Sequence, residues 1–533
     1  MKLVSILIVA LVVGSAGFVR AAADGPNDYY NEGVRLLQAG QSAEAIKYFS
    51  WAIHFNPKDW EAYGNRGLAY DKTGDLQAAI RDYSKAIEIN PNEPRFYTNR
   101  GSAYDELGKP QQAIDDYNQA IHLNNKDEIA FLNRGIAYRD LGKPEQAIAD
   151  LTHAIELNPS NERAYLSRGA IFDKLGQFES VVQDCNAALL IDPTDSFALV
   201  ERGWARENLG QTRQAIQDFN RAIQLDPKNP RAYVTRGWSL INLGEFDRAT
   251  QDLNYALKLE PRFAIAYVGL GNAERAKKNL KLALDYYSKA IELDKRNQLA
   301  YKARGMIYFE RAEYDAAIRD LTTAVDLAPR DAQSFDNIGK VYYAKGDFQT
   351  AIAEYTKAIE IDPSLASAYA DRSLAIFCQG RRGASGDARA YLKLAGWTSD
   401  RSADMVLIGY FRSLKNNQPE EAQSLLMEGL QKCDKAAWPY PILAYLHRDL
   451  AIQDLYKQAD DNAKVAKVHA YLGIQLALNG RRDEAIEHLR WIKDHANHQS
   501  QEYAISLTEL RRIENDEARI NPSFDTPRIA NGS

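Results

Sequence analysis

The chain has 533 residues, of which 45% are hydrophobic and 26% are charged, the proportions of a globular protein rather than a disordered or collagen-like one. Its 66 basic and 72 acidic side chains give a net charge of -6, which excludes the strong basic field expected of a general nucleic-acid binder. Three cysteines in a chain of this length exclude a scaffold built on disulfides.

The first 23 residues have the pattern of a secretory signal peptide. Lys2 supplies a positive charge, residues 3–13 form an apolar run, and residues 21–23 are three alanines that offer a cleavage site before Asp24. We therefore expect residues 1–23 to be removed and the protein to be periplasmic or secreted in a bacterium. The alternative is an uncleaved N-terminal anchor. No cysteine lies near the cleavage site, so we do not expect a lipoprotein, and no later apolar run predicts a membrane span.

The next segment, Pro26 to Leu365, divides into ten units of 34 residues, and positions are counted within these units. Positions 8 and 27 are invariably Gly and Ala, position 20 is Ala in nine units, and position 32 is Pro in eight. Gly and Ala remove bulk where two antiparallel helices touch, and large apolar residues at position 24 fill the space. A Gly near position 15 ends the first helix and the Pro ends the second. One pair cannot bury its apolar face alone, so the pairs must stack.

These units resemble tetratricopeptide repeats, as in Ala62 to Gly67 followed by Ala79, Tyr83, Ala86 and Pro91. The resemblance implies an all-α fold, a right-handed superhelix (α-solenoid) in which each helix pair contacts only its neighbours. We place the ten-repeat array at residues 24–365 and a degenerate eleventh repeat at 366–396. A C-terminal helical region follows at 397–514, with repeat-like pairs at 403–432 and 466–498, and residues 515–533 are predicted to be a disordered tail.

The C-terminal third carries a second resemblance. Residues 442–446, 471–473 and 502–504 are similar to the end of bacterial envelope repeat lipoproteins of the new-lipoprotein-I type. That family is associated with scaffolding of cell-wall hydrolases and a periplasmic protease, so the resemblance implies partners of these classes. The lipid-accepting Cys of that family is missing here, which puts membrane anchoring in doubt.

Motifs of catalysis are missing from the sequence. No phosphate-binding loop, serine-hydrolase elbow, zinc-protease motif or paired-cysteine metal spacing occurs, so we predict no catalytic residue, cofactor or metal site. His488, His495 and His498 could share one helix face, which makes a zinc site the alternative to solvated histidines.

The three cysteines divide into two cases. Cys185 occupies position 24 and is predicted to be a buried thiol that replaces a core aromatic. Cys378 and Cys433 could pair in an oxidising compartment, and the sequence leaves that choice open.

Arg at position 7 and Asp at position 23 occur together in seven units and are lost together in units one and eight. The concerted loss favours an ion pair between the two helices of one unit over an arginine ladder for anions. The predicted pairs are Arg66 with Asp82, Arg100 with Asp116, Arg134 with Asp150, Arg168 with Asp184, Arg202 with Asp218, Arg236 with Asp252, and Arg304 with Asp320.

Positions 2, 5, 9, 12 and 13 of the first helix form one stripe, which lines the inner groove of such superhelices. Units two, three and five place mostly charged residues there, whereas units six to nine place apolar ones. We predict partner contacts at Trp204, Trp238, Val200, Val234, Ile241, Ile265, Val268 and Phe309. The two tryptophans hold the same position in adjacent units, so their indoles should lie side by side. The alternative is a groove filled by the protein's own helices.

Position 6 is Asn in the first four units. This column resembles the asparagine ladder of the O-linked N-acetylglucosamine transferases, whose amides bind a peptide backbone. The resemblance implies a sequence-independent grip, since an amide both donates and accepts hydrogen bonds, although Asn is also common at this position of the repeat. The predicted backbone contacts are Asn31, Asn65, Asn99 and Asn133.

The sequence therefore predicts a non-enzymatic, exported scaffold that binds extended or helical segments of envelope proteins, and no nucleic acid. One alternative is an enzyme or enzyme subunit with its site in residues 397–514. A cleft that gathers acids, bases and histidines there would favour it, whereas a closed helical cap would favour the scaffold. Another alternative is a cell-wall or saccharide binder in which the tryptophan pair stacks on sugar rings.

Overall fold

The computed structural model describes residues 26–497 and 500–520, and the regular elements of these ranges are all helices. The chain forms two compact units, of which the first ends at Leu259. Its helices are α1 (Pro26–Gln38), α2 (Ser42–Phe55), α3 (Trp60–Lys72), α4 (Leu76–Ile89), α5 (Pro94–Glu106), α6 (Pro110–Leu123), α7 (Glu128–Asp140), α8 (Pro144–Leu157), α9 (Glu162–Lys174), α10 (Phe178–Ile191), α11 (Ser196–Asn208), α12 (Thr212–Leu225), α13 (Pro230–Asn242) and α14 (Phe246–Leu259).

The second unit begins at Glu260 and contains three further regular helix pairs before the pattern changes. Its helices are α15 (Ala264–Ala276), α16 (Leu280–Leu293), α17 (Gln298–Glu310), α18 (Tyr314–Leu327), α19 (Ala332–Ala344), α20 (Phe348–Ile361), α21 (Ala366–Gln379), α22 (Ala384–Ala395), α23 (Ser402–Lys415), α24 (Pro419–Lys432), α25 (Tyr440–Leu446), α26 (Ile452–Gln458), α27 (Asn462–Leu478), α28 (Arg482–His495) and α29 (Gln501–Ile520). In the described ranges no helix is both long and apolar enough to cross a bilayer.

The ends of the paired helices follow from short polar and glycine residues. Asp59 caps α3, because its Oδ1 accepts the backbone N–H of Ala62 at 3.0 Å. Position 15 closes each first helix with a positive φ, as at Gly74 with φ +82°. Lys278 and Ala312 hold the same conformation without being glycine, at φ +66° and +59°.

Each helix pair closes over one large side chain. Tyr117 at position 24 is fully buried, and its ring lies against Gly101 at position 8. A Cβ built on Gly101 would lie 2.6 Å from Tyr117 Cε1, which explains why the column tolerates only glycine opposite a large ring. Gly169 differs, because its partner at position 24 is Cys185, and a Cβ there would meet only Asp184 Cβ at 3.6 Å.

Every predicted arginine binds the aspartate of its own repeat through two N–H groups. In the fourth repeat, Arg134 Nε donates to Asp150 Oδ2 and Nη2 donates to Oδ1, both at 2.7 Å. The same two hydrogen bonds join the other six predicted pairs, Arg66–Asp82, Arg100–Asp116, Arg168–Asp184, Arg202–Asp218, Arg236–Asp252 and Arg304–Asp320.

The same arginines also reach the preceding repeat, which the sequence analysis missed. Arg134 Nη1 donates to Asn118 Oδ1 at 2.7 Å, and Asn118 is position 25 of the repeat before. The other six arginines do likewise, to Ser50, Ser84, Thr152, Asn186, Asn220 and Ser288. Position 25 is a short polar residue throughout, so each of these arginines both closes its own helix pair and binds the preceding one.

The helices from α21 onwards form a domain with one large core and two smaller clusters. Fully buried residues of α23 and α27, such as Phe411 and Tyr471, stack at a ring distance of 5.7 Å in the large core. Lys467 Nζ donates to Asp404 Oδ2 at 2.6 Å, and Lys415 pairs with Glu509 of α29, whereas buried Arg412 donates from Nη2 to the backbone oxygen of Gly380 at 2.7 Å. Helix α29 continues to Ile520, so the disordered tail predicted from residue 515 is wrong for residues 515–520; residues 521–533 lie outside the described residues.

Candidate functional site

A cavity of about 210 Å³ lies between α11 and α13, the first helices of the sixth and seventh repeats. The indoles of Trp204 and Trp238, from the same position of these two repeats, form two of its walls. Fully buried Phe219 and Ser239 contribute to the lining, with Glu207, Asn208, Thr235 and Asn242 as its other polar residues. The predicted tryptophan pair therefore lines one open cavity within the first compact unit.

The two indoles differ in their hydrogen bonds. Trp204 Nε1 donates to Asp173 Oδ1 of the preceding repeat at 3.1 Å. Trp238 Nε1 is buried and has no hydrogen-bond partner. A buried N–H without an acceptor is costly, so Trp238 is held in place by the packing of its ring and not by a hydrogen bond.

Asp173 is position 12 of the repeat before Trp204, and Glu207 is position 12 of the repeat before Trp238. Unlike Asp173, Glu207 accepts no indole N–H and bonds to other groups. Its Oε2 accepts from Ser239 Oγ at 2.6 Å, and its Oε1 accepts from Asn242 Nδ2 at 2.8 Å and Thr212 Oγ1 at 3.2 Å. All three donors are neutral. The carboxylate is therefore held in a fixed orientation without being neutralised.

Three of the predicted contact residues do not offer surface to a partner. Val200, Val234 and Val268, at position 5, are only 1%, 4% and 1% exposed. The expectation that position 5 belongs to the exposed stripe is wrong at these sites, because valine there packs against the adjacent helices. Position 2 is the more exposed edge, where Phe197 is 48% exposed.

The remaining predicted apolar contacts are half-buried. Ile241 lies on α13 one turn beyond Trp238, while Ile265 and Phe309 lie on α15 and α17 of the second unit. Phe309 packs beside Tyr314, with ring centroids 6.3 Å apart. These side chains keep part of their surface free.

The asparagine column starts with an exposed Asn31, followed by three half-buried members, Asn65, Asn99 and Asn133. Asn65 Nδ2 already donates to Tyr30 Oη at 2.9 Å, and Tyr30 donates to Glu61 at 3.0 Å. Burial, with the bond to Glu61, raises the pKa of Tyr30 to about 12. Asn65 therefore has an internal role as well as the backbone grip predicted for it.

Position 12 carries an interrupted row of carboxylates that was not predicted: the second, third, fifth and sixth repeats have Asp or Glu there, and the fourth has Arg139. Asp71, Asp105, Asp173 and Glu207 are its members, and within the described chain none of them forms an ion pair with a basic side chain. Burial raises the pKa of Asp105 to about 6, and burial together with Glu106 raises the pKa of Asp71. Reading position 12 by charge across adjacent repeats would have found this row.

The histidines of the C-terminal domain form a contact rather than a metal cluster. His469 Nδ1 lies 2.9 Å from His488 Nδ1, and the His469 ring stacks on Trp491 at 4.3 Å. In the described ranges no group of three His, Cys, Asp or Glu side chains is placed to hold a metal. His498, the third member of the alternative zinc site, lies outside the described residues.

Models of the tetratricopeptide repeat match six stretches of the chain. They cover residues 60–93, 94–127, 129–161, 196–229 and 234–297, and a further TPR repeat model covers 339–380. No matched range lies beyond residue 380, so the resemblance of the C-terminal third to envelope lipoproteins stays a prediction. No curated protein matches the chain.

Solved structures of repeat proteins are similar to parts of the chain. MamA is 26% identical over 32% of this chain and 92% of its own, with a TM-score of 0.30. A tetratricopeptide repeat protein from Parabacteroides merdae is 22% identical over 49% of this chain and 98% of its own, with a TM-score of 0.36. The Cut9–Hcn1 hetero-tetramer of the APC/C is 15% identical over 73% of this chain and 96% of its own, with a TM-score of 0.42. At these TM-scores the likenesses carry no functional inference.

Proposed function

Because this chain is a tetratricopeptide repeat protein, a fold that serves protein–protein interaction in general, we propose that it is an exported, non-catalytic scaffold for envelope proteins. It holds an extended or helical segment of its partner against the first helices of its repeats. The main anchor is the cavity between Trp204 and Trp238. Cell-wall hydrolases and envelope proteases are the first candidate partners.

The observation that carries this proposal is the cavity itself. The fold does not require indoles at position 9, because other repeats place Leu68, Ser102 and Ala170 there and form the same helix pair. Two large aromatic walls and a carboxylate without a cation make a site of the kind that anchors a partner side chain.

Export is supported by the composition of residues 1–23, with the charge of Lys2, the apolar run and the alanines before Asp24. An intact-mass measurement on natively expressed protein from the soluble envelope fraction tests it. A mature chain that starts at or near Asp24 is expected. A membrane-bound chain that retains residues 1–23 would favour the N-terminal anchor and contradict cleavage.

The packing of the C-terminal domain supports a scaffold rather than an enzyme. Two of its acid–base pairs, Lys415 with Glu509 and Lys467 with Asp404, neutralise one another inside the domain. His469 and His488 face each other and the ring of Trp491. We therefore assign this domain a capping role for the repeats of its own unit.

Affinity capture from envelope extract tests the scaffold and its site. The bait is the mature chain, compared with Trp204→Ala/Trp238→Ala, and the control is Trp51→Ala, because Trp51 is 46% exposed but lies in the first repeat. We expect one or more envelope proteins to bind the unmodified and the control chains and to be lost from the double variant. Equal capture by all three would contradict the cavity as the main site.

Affinity for the captured partner then measures the size of the effect. The double Trp variant should weaken binding by at least about 2 kcal/mol, the scale of an interface hot spot, with an unchanged melting temperature. Asn31→Ala/Asn99→Ala should weaken binding less and without changing sequence preference, if these amides bind only backbone. Capture of peptidoglycan instead of protein would support the saccharide binder, in which the indoles stack on sugar rings.

A further inference from the structure

We propose that the cavity between Trp204 and Trp238 receives a cationic side chain, the guanidinium of an arginine or the ammonium of a lysine, from the bound protein segment. This inference rests on the proposed function and specifies which residue of the partner enters the cavity. It follows from two features of the site: its aromatic walls and its carboxylate without a cation.

The walls suit a cation. Indole has the strongest attraction for a cation among the aromatic side chains, because its ring face is negative. Two indoles from adjacent repeats line the cavity here, with the ring of Phe219 behind them. A cation between these walls contacts ring faces while its alkyl stem lies against apolar surface.

The carboxylate of the cavity, Glu207, lacks a cation of its own. Glu207 is bound only by Thr212, Ser239 and Asn242, which are neutral donors. It forms no ion pair within the described residues. Glu207 Oε2 accepts one hydrogen bond where an ionised carboxylate oxygen takes two, so it keeps room for an N–H of the ligand.

Other carboxylates of the sixth repeat do have cations. Asp218 pairs with Arg202 and Arg206, each at 2.6 Å, and Glu201 pairs with Arg231 at 2.8 Å. These three arginines are therefore already paired. An anionic ligand would meet uncompensated negative charge at the cavity, whereas a cation would supply the missing partner.

The rest of the face carries both signs. Position 12 is Asp71, Asp105 and Asp173 in the second, third and fifth repeats, but it is Arg139 in the fourth. The preference for a cation is therefore local to the cavity, where it rests on the two indoles and on Glu207.

The test uses the mature full-length chain with 5-fluorotryptophan and follows the fluorine resonances of Trp204 and Trp238, assigned with Trp204→Phe and Trp238→Phe. The probes are the N-acetyl amides of arginine, lysine and citrulline, because citrulline has the shape of arginine without its charge. We expect saturable shifts of both resonances with arginine or lysine, and at least fivefold weaker binding of citrulline. The comparison of arginine with lysine shows which cation fits.

Glu207→Gln removes the charge while keeping an oxygen for Ser239, and it should weaken the cationic probe at least fivefold. Glu145→Gln is the matched control, since it makes the same change of charge at an exposed site on the second helix α8 and should have no effect. Equal binding of citrulline, or no saturable shift with either cation, would overturn the inference.

These experiments distinguish a failure of the cation inference from a failure of the proposed function. If captured partners depend on the tryptophan pair but the cationic probes do not bind, the scaffold stands and the inference fails. If the probes bind but capture is indifferent to the pair, the cavity is a cation site and the proposed function of that site fails.

Discussion

Arg372 Nε and Nη2 bind the two oxygens of Asp387 at 2.7 and 2.8 Å, across fifteen residues instead of the sixteen that separate every regular pair. Arg372 Nη1 also donates to Thr356 Oγ1 of the tenth repeat at 3.1 Å. The eleventh repeat therefore keeps the double contact of the array although its connecting loop is longer and its aspartate lies nearer the start of the second helix. The sequence predicted a degenerate unit there but not this pair, because the fixed spacing is broken by one residue.

Breaking one ion pair should destabilise its repeat. In Arg134→Ala the carboxylate of Asp150, half of a buried pair, loses both of its charged donors, so we expect the free energy of unfolding to fall by about 3 kcal/mol. Urea unfolding followed by circular dichroism measures it. A double-mutant cycle with Asp150→Ala should show strong coupling, and coupling to Asp116 in its place would contradict the assignment.

The contact to the preceding repeat should contribute less. Asn118→Ala removes only the Nη1 bond of Arg134 and leaves the pair with Asp150 intact, so the expected loss is about 1 kcal/mol. Partner binding should be unchanged in this variant and in Arg134→Ala at temperatures where the array is folded, because these groups face between the helices.

Substitution of two position-8 glycines by alanine should change the stability of the protein in opposite directions. Gly101→Ala forces a Cβ against the buried ring of Tyr117 and should cost about 1–3 kcal/mol of stability. Gly169→Ala meets only an ordinary contact at 3.6 Å and should stabilise by about 0.5–1 kcal/mol, because alanine is the better helix former. Melting of the two variants beside the parent chain decides it, and a destabilising Gly169→Ala would contradict the free space beside Cys185.

The pair of α27 and α28 should lose stability in mild acid. Burial, followed by the charges of His488 and His495, lowers the pKa of His469 from 6.5 to about 4. Between these values the unfolded chain binds a proton that the folded chain does not, so the free energy of opening falls as the pH is lowered. Hydrogen exchange at pH 7 and pH 5 measures it.

The control for this pH dependence is a variant that cannot titrate. His469→Phe should flatten the decline between pH 6.5 and 4 in the amides of residues 462–495, because phenylalanine can keep the stacking on Trp491 without binding a proton. His122→Gln, at an exposed site on α6, should leave the decline unchanged. An unaltered decline in His469→Phe would assign the acid sensitivity to other groups.

All three cysteines should be free and slow to react in the folded chain. Cys185, Cys378 and Cys433 are buried and unpaired, and burial raises their pKa values to about 12, 12 and 11. A thiol of this kind has little thiolate at neutral pH. Titration with a chromogenic disulfide should detect no thiol in the native protein and three in denaturant without reductant. A single thiol in denaturant would show that Cys378 and Cys433 do pair.

The repeat pattern allowed the helix pairs and the internal ion pairs to be predicted, because each rests on one fixed spacing. Gly101 and Tyr117 are such a pair, at a fixed separation within the repeat, and so are Arg134 and Asp150. The bonds from arginine to position 25 were missed because Ser, Thr and Asn alternate there, so no single residue type marks the column.

The binding site was only partly predictable. Spacing placed Trp204 and Trp238 together, but it also placed Val200 and Val234 on the exposed stripe, where packing buries them. A helical wheel shows which way a side chain points but not how deeply it is buried, so it cannot distinguish a residue at the edge of a groove from one packed beneath its surface. The role of Glu207 required the structure, since its donors come from three different helical turns.

In the seven regular repeats that carry it, the arginine makes its strong bond inside its own helix pair and needs from its predecessor only a short side chain that accepts one hydrogen bond. Serine, threonine and asparagine all meet that need, so almost any repeat can follow any other. A gene that encodes such units can gain or lose a whole repeat by duplication or deletion without creating a mismatched junction. The length of the array is therefore free to evolve separately from the chemistry of its binding face.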